Sequence, residues 1–133
     1  MIVIQQLNAI LQGLIERYSR SGTAYNGTVV TNSVTPNTSV TINRVNLPAG
    51  TYVIAAEVQF SVSNANAGTL ATISQNGAGT LAIERGNMSG GGGHSLCAII
   101  ETVDEVEILL NVYQTHTATV TVAPNRLIAV RIK

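Results

Sequence analysis

The chain has 133 residues, of which 45% are apolar, 11% charged and only 4% aromatic, with no tryptophan and a formal net charge of zero. This suits one folded domain and argues against a disordered chain, and the charge balance leaves no basic face to neutralise phosphates, so nucleic acid is not an expected partner. Charge this sparse, against about a quarter of residues in an ordinary soluble domain, points to a surface completed by other protein copies, or else to one built of Thr, Asn and Ser.

Near the start, Ile4, Leu7, Leu11, Leu14 and Tyr18 are spaced three, four, three and four residues apart. That is the a/d rhythm of a coiled coil, and it predicts an amphipathic α-helix over residues 1–22. Arg17 and Arg20 suit the negative end of the helix dipole, and Ser21-Gly22 supplies a stop. A helix of roughly 25 Å is marginal alone in water. The expectation is therefore an oligomerising stalk, or an anchor set into a larger assembly. A helix lying on its own domain is the plainer alternative. Gln5, Gln6 and Asn8 interrupt the segment and no basic stretch precedes it, so neither a secretion signal nor membrane insertion is expected there.

From residue 23 onward the pattern is all-β. Thr28–Thr31 and Ser39–Ile42 are two short strand candidates around a Thr35-Pro36-Asn37 turn. The strongest signal follows the Pro48-Ala49-Gly50 turn, where Tyr52, Ile54, Ala56, Val58, Phe60 and Val62 fill every second position. Such alternation predicts one long strand with a buried face, roughly 40 Å from end to end. Thr69–Gln75 and Thr80–Glu84 read as an antiparallel pair about the Asn76-Gly77 turn. His94–Thr102 and Asp104–Gln114 read as the next pair, and Thr117–Val122 and Arg126–Ile132 as the last, joined through Ala123-Pro124-Asn125. In Asp104–Gln114 the inward series is Val106, Ile108, Leu110 and Val112, which leaves Leu109 and Tyr113 apolar on the outer face. A monomeric sandwich does not require that, so these two are assigned to an interface between copies. About nine strands with short turns predict an antiparallel sandwich rather than βαβ units.

Chemistry is scarce. Gly86–Gly93 (GNMSGGGG) lacks the lysine of a phosphate-binding loop and the spacing of a dinucleotide fingerprint, and is expected to be a mobile connection. Cys97, the single cysteine, excludes an internal disulfide and sulfur-rich metal sites, and reads as a small buried thiol. Glu101, Asp104, Glu105 and Glu107 read as solvated turn acids rather than calcium ligands. His94 and His116 read as surface histidines without metal-ligand spacing. No nucleophile elbow or acid pair flanked by aromatics is present, so no catalytic residue, metal or cofactor is assigned and no enzyme is expected.

Two stretches resemble a known family. LPAGTYVIAAEVQF (Leu47–Phe60) is similar to the strand of C1q/TNF-like jelly rolls that leaves a Pro-Gly turn and continues Tyr then Val. HSLCAIIETVDEVEILLNVYQ (His94–Gln114) is similar to the family's later apolar strands about a Gly-Asp-x-Val turn, with Val103 in place of the glycine. The final NRLIAVRIK resembles the family's last strand. The resemblance covers Tyr25–Lys133 and implies a jelly-roll domain over residues 23–133 that forms a compact homotrimer. The low charge and the Thr/Asn/Gly-rich strands look most like bacteriophage virion members: head fibres, capsid decoration proteins and tail tips. The implied function is a structural virion protein, attached to other capsid or tail proteins through its N-terminal helix. The alternative is a receptor- or glycan-binding tip, or a bacterial adhesive module, with Asn87, His94 and His116 as the ligand-loop positions.

Overall fold

The computed structural model describes residues 22–62 and 66–133, together with Gln6. The stalk positions Ile4, Leu7, Leu11, Leu14 and Tyr18 lie outside the described residues. The described residues form ten strands: β1 (Ala24–Asn26), β2 (Thr28–Val29), β3 (Ser33–Val34), β4 (Val40–Leu47), β5 (Gly50–Phe60), β6 (Gly68–Gln75), β7 (Gly79–Asn87), β8 (Gly93–Thr102), β9 (Val106–Gln114) and β10 (Val120–Arg131). They build two antiparallel sheets of five strands. Sheet A runs β1-β10-β5-β8, with β3 also paired to β10, and sheet B runs β2-β4-β9-β6-β7. The result is a jelly-roll-like β-sandwich.

The long alternating stretch is β5, and its inward side chains are the expected ones up to Phe60, where the strand ends; Val62 lies beyond it, partly buried. Tyr52, Ile54, Ala56, Val58 and Phe60 are all buried, facing Ile42, Leu47, Ile73, Ile108, Leu110 and Val112 from sheet B. Tyr52 places its phenol where it donates to the Pro48 carbonyl at 2.7 Å, and Tyr25 meets its ring edge-on at 5.7 Å. Burial pushes the Tyr52 phenol above the ordinary tyrosine range.

Three expectations need correction. His94–Thr102 and Asp104–Gln114 do not pair with each other: β8 pairs with β5 in sheet A, and β9 with β4 and β6 in sheet B. Alternation reveals which face of a strand is buried, but not which neighbour it takes. The last two expected strands are one strand, β10, whose register with β5 slips between Val122 and Asn125 around the cis Ala123–Pro124 bond. Proline has no N–H to give the ladder, so the strand passes it with an irregularity rather than a break.

The glycine-rich segment is also not a loose connection. Asn87 caps a single 3-10 turn over Met88–Gly90, with its side chain accepting from the Ser89 N–H at 2.8 Å. Met88 is fully buried in the core, and its N–H donates to the Ala67 carbonyl at 2.9 Å. Gly91 and Gly92 take φ of 110° and 65°, which only glycine adopts without strain. Gly92 then accepts from the Phe60 N–H at 3.0 Å, and the Gln59 amide donates to the Gly91 carbonyl.

An amide pair, Asn43 buried and Asn125 half-buried, joins the sheets at the two slipped registers. Asn43 follows the irregularity in β4, and its Nδ2 donates to Asn125 Oδ1 at 3.1 Å. Asn125 in turn donates to the Ile42 carbonyl at 3.0 Å and to Asn32 Oδ1 at 3.0 Å. Among the described residues no group donates to Asn43 Oδ1, which lies against Gly27, where an added Cβ would stand 2.1 Å from it and 2.9 Å from Leu127 Cβ. Both contacts are far inside van der Waals range. Gly27→Ala should therefore destabilise the fold by about 1–3 kcal/mol through overpacking. Gly90→Ala, where an added Cβ meets nothing within 4 Å, should leave the urea midpoint almost unchanged, and equal midpoints for the two variants would refute the packing argument.

Candidate interaction surfaces

The outer face of sheet A is unexpectedly apolar. Strand register sets Val130, Val53 and Ile99 in one row across β10, β5 and β8, and Ile128, Ala55 and Cys97 in the next. Ile99 is 69% exposed, and Cys97 faces solvent beside it. Val103 and Ile132, both exposed, extend the apolar surface past the strand ends. A cavity of about 640 Å³ meets this face at Ala55, Glu57, Ser95 and Arg126 and is lined as well by the inward Ala56, Leu96 and Leu127 and by Val29 and Asn43 of sheet B. The expected buried thiol is thus corrected. On β8 both faces carry apolar side chains, with Leu96 and Ile100 inward and Cys97 and Ile99 outward, so composition alone could not say which face held the sulfur.

Leu109 and Tyr113 do face outward, from β9 on sheet B, and both are half-buried. Asn111 stands between them on the same face and accepts from the Thr41 hydroxyl at 2.6 Å. Leu109 has Arg44 and Ser74 as cross-strand neighbours, while Tyr113 has Leu70. This face is a mixture rather than an apolar sheet.

A shallow hollow of about 380 Å³ opens beside Tyr113, lined by Gly68, Thr69, Leu70, Arg85, Gly86, Tyr113 and Thr115. It lies between the two loops singled out from the sequence. Of the ligand-loop positions, Asn87 is exposed and turns its side chain onto Ser89 and, at 3.3 Å, Asn66. His116, in the β9–β10 loop, accepts from the Ala118 N–H at 3.1 Å.

His94 is the third of these positions, and it lies neither in a loop nor on the surface. It occupies β8, is 3% exposed, and bridges the sheets where β7 and β8 come together. Nδ1 is 2.9 Å from Glu84 Oε1, and Nε2 is 2.8 Å from Thr69 Oγ1. Phe60 packs its ring edge-on at 6.3 Å. A signal was present: the parity that sends Leu96 and Ile100 inward sends His94 inward too. The order hydroxyl, imidazole, carboxylate is that of a hydrolase triad. Exposure runs the wrong way for one, because Thr69 is buried on the core side while Glu84 has 42% of its side chain in solvent. The arrangement fastens the sandwich edge. Among the described residues no group of three or more His, Cys, Asp or Glu is placed to hold a metal ion, and no helix is long and apolar enough to cross a membrane.

With the fold established as a jelly-roll-like sandwich, its likenesses are with solved structures. No family model matches the sequence, and no curated protein matches it. The VP2 subviral particle of infectious bursal disease virus aligns over 83% of this chain at TM-score 0.54 and 15% identity. The Gx strain of the same virus gives TM-score 0.56, also at 15% identity. This chain spans about a third of those proteins, 32% of each. A carbohydrate binding module from Cellvibrio mixtus lichenase 5A aligns over 85% of this chain and 92% of its own length, at 13% identity and TM-score 0.36, too loose to carry an argument. At such identities the likeness establishes the fold alone.

The edge fastening makes a direct prediction. His94→Ala removes the ring and strands the buried Thr69 hydroxyl, and should cost about 2–4 kcal/mol of stability in urea unfolding. Glu84→Gln, at the wetter end, should cost under about 1 kcal/mol. If His94→Ala unfolds at the wild-type midpoint, the histidine does not hold the edge.

Proposed function

We propose that this chain is a non-enzymatic structural virion protein: a homotrimer that decorates a capsid or forms a head fibre. Residues 1–22 would fix it to other capsid or tail proteins. The observation that carries this reading is the outer face of sheet A. A soluble monomer rarely leaves Ile99, Val103 and Ile132 exposed in continuity with Val53, Ile128 and Val130. Removing that face from water against sister copies is the simplest way to stabilise it, and charge this sparse raises little repulsion between copies. The jelly-roll-like fold shared with a protein of a viral particle is compatible with this role. The trimer contact is proposed on sheet A because its Ile99 is 69% exposed whereas Leu109 and Tyr113 are half-buried on sheet B; those two would lie outside the contact or at its rim.

A second reading, a receptor- or glycan-binding tip, is favoured by the hollow beside Tyr113. The two readings are compatible, since the hollow lies on the opposite sheet from the contact.

Sedimentation equilibrium should give three times the 13.9 kDa chain mass for the wild type. Ile99→Asp should weaken association by about a hundredfold or more, as for a central contact residue. Removing residues 1–22 should abolish particle association. A wild-type chain that sediments as a monomer would refute the trimer, and a truncated chain that still binds particles would refute the anchor.

A further inference from the structure

We propose that the hollow over Gly68 is a binding site for a small carboxylated sugar. Its shape comes from one missing side chain. Register places Arg85, Leu70 and Tyr113 in an outward row across β7, β6 and β9. The next outward row is Asn87, Gly68 and Thr115, because Gly68 pairs with Asn87 and accepts from the Thr115 N–H at 3.1 Å. Glycine at the centre of that row leaves a gap walled by the side chains around it.

The groups on the walls define what fits. Among the described residues Arg85 supplies the only charge lining the hollow, and the single ion pair is His94–Glu84, so none of their carboxylates pairs with this guanidinium. Its planar fork matches a carboxylate with two parallel hydrogen bonds. Leu70 and the Tyr113 ring offer an apolar side for the C–H face of a pyranose. Thr115 Oγ1 already accepts from the Gly68 N–H at 2.8 Å, which leaves its own proton free to donate to a ring hydroxyl. The volume, about 380 Å³, is of the size that holds a small ligand. Cation, apolar wall and hydroxyl donor together select a sugar acid over a neutral sugar, for which the arginine has no use, and over a bare carboxylate, for which the apolar wall has none.

This inference deepens the tip reading and is independent of the trimer, which sedimentation tests separately. The test is titration of the full-length chain with glucuronic acid and N-acetylneuraminic acid, followed by amide NMR, with glucose as the neutral probe and acetate as the bare carboxylate. Saturable shifts centred on Leu70, Arg85 and Thr115 are expected with at least one acid, and none with glucose or acetate. Arg85→Gln should weaken binding by about tenfold or more through loss of the charged hydrogen bonds. Gly68→Val should abolish binding while the fold persists, since the new Cβ would meet only Thr115 Oγ1, at an ordinary 3.6 Å. Silence with both acids, equal response to glucose or acetate, or wild-type binding by Gly68→Val would each overturn the proposal.

Discussion

The inward face of β5 is the constraint on which the molecule rests. Five consecutive alternate side chains, Tyr52 to Phe60, form one wall of the core, and the strand bearing them has β10 on one side and β8 on the other. With so few aromatic residues, the core relies on branched aliphatics meeting across the layers, and Tyr52 and Phe60 are its largest fully buried members. Tyr52 is admissible there because its hydroxyl reaches the Pro48 carbonyl, which meets the polar requirement of burying a phenol.

Two polar fastenings govern how the sheets meet around that core. On one side, His94 ties β8 to β6 and β7; elsewhere, the Asn43–Asn125 pair ties β4 to β10 where both ladders slip. Apolar packing is tolerant of small shifts, whereas a buried hydrogen bond is satisfied in one arrangement only. These few side chains therefore make the register specific, and the surrounding aliphatics make it stable. Asn43 Oδ1, which meets no donor among the described residues, lies against Gly27, a residue without a side chain to oppose it.

Much of this was legible in the chain, and the limits have a physical origin. Period-two alternation reports which side of a strand is dry, so the inward face of β5 and the outward placement of Leu109 and Tyr113 followed directly. The same signal is blind to partners, which is why β8 and β9, adjacent in sequence, were paired although they lie in opposite sheets. It also fails where both faces are apolar, and there Cys97 and Ile99 point to solvent. Composition misled at Gly86–Gly93: glycine marked a special backbone path correctly, but Met88 turns that path into a buried plug. The gap at Gly68 was beyond reach for a related reason. A glycine in a strand becomes a hollow only once its cross-strand neighbours are known.

The position of β10 has a consequence for how the protein comes into being. β10 pairs with β1, β3 and β5, and its register joins Val130 to Ala24 across almost the entire chain. Sheet A cannot close until this last strand emerges from the ribosome, whereas the β6–β7 hairpin can form as soon as it is made. Maturation is thus governed by long-range closure, the slow route for a polypeptide. During that wait the core-facing side chains of β5, Tyr52 to Phe60, lack their full cover, and these are the groups a chaperone would shelter.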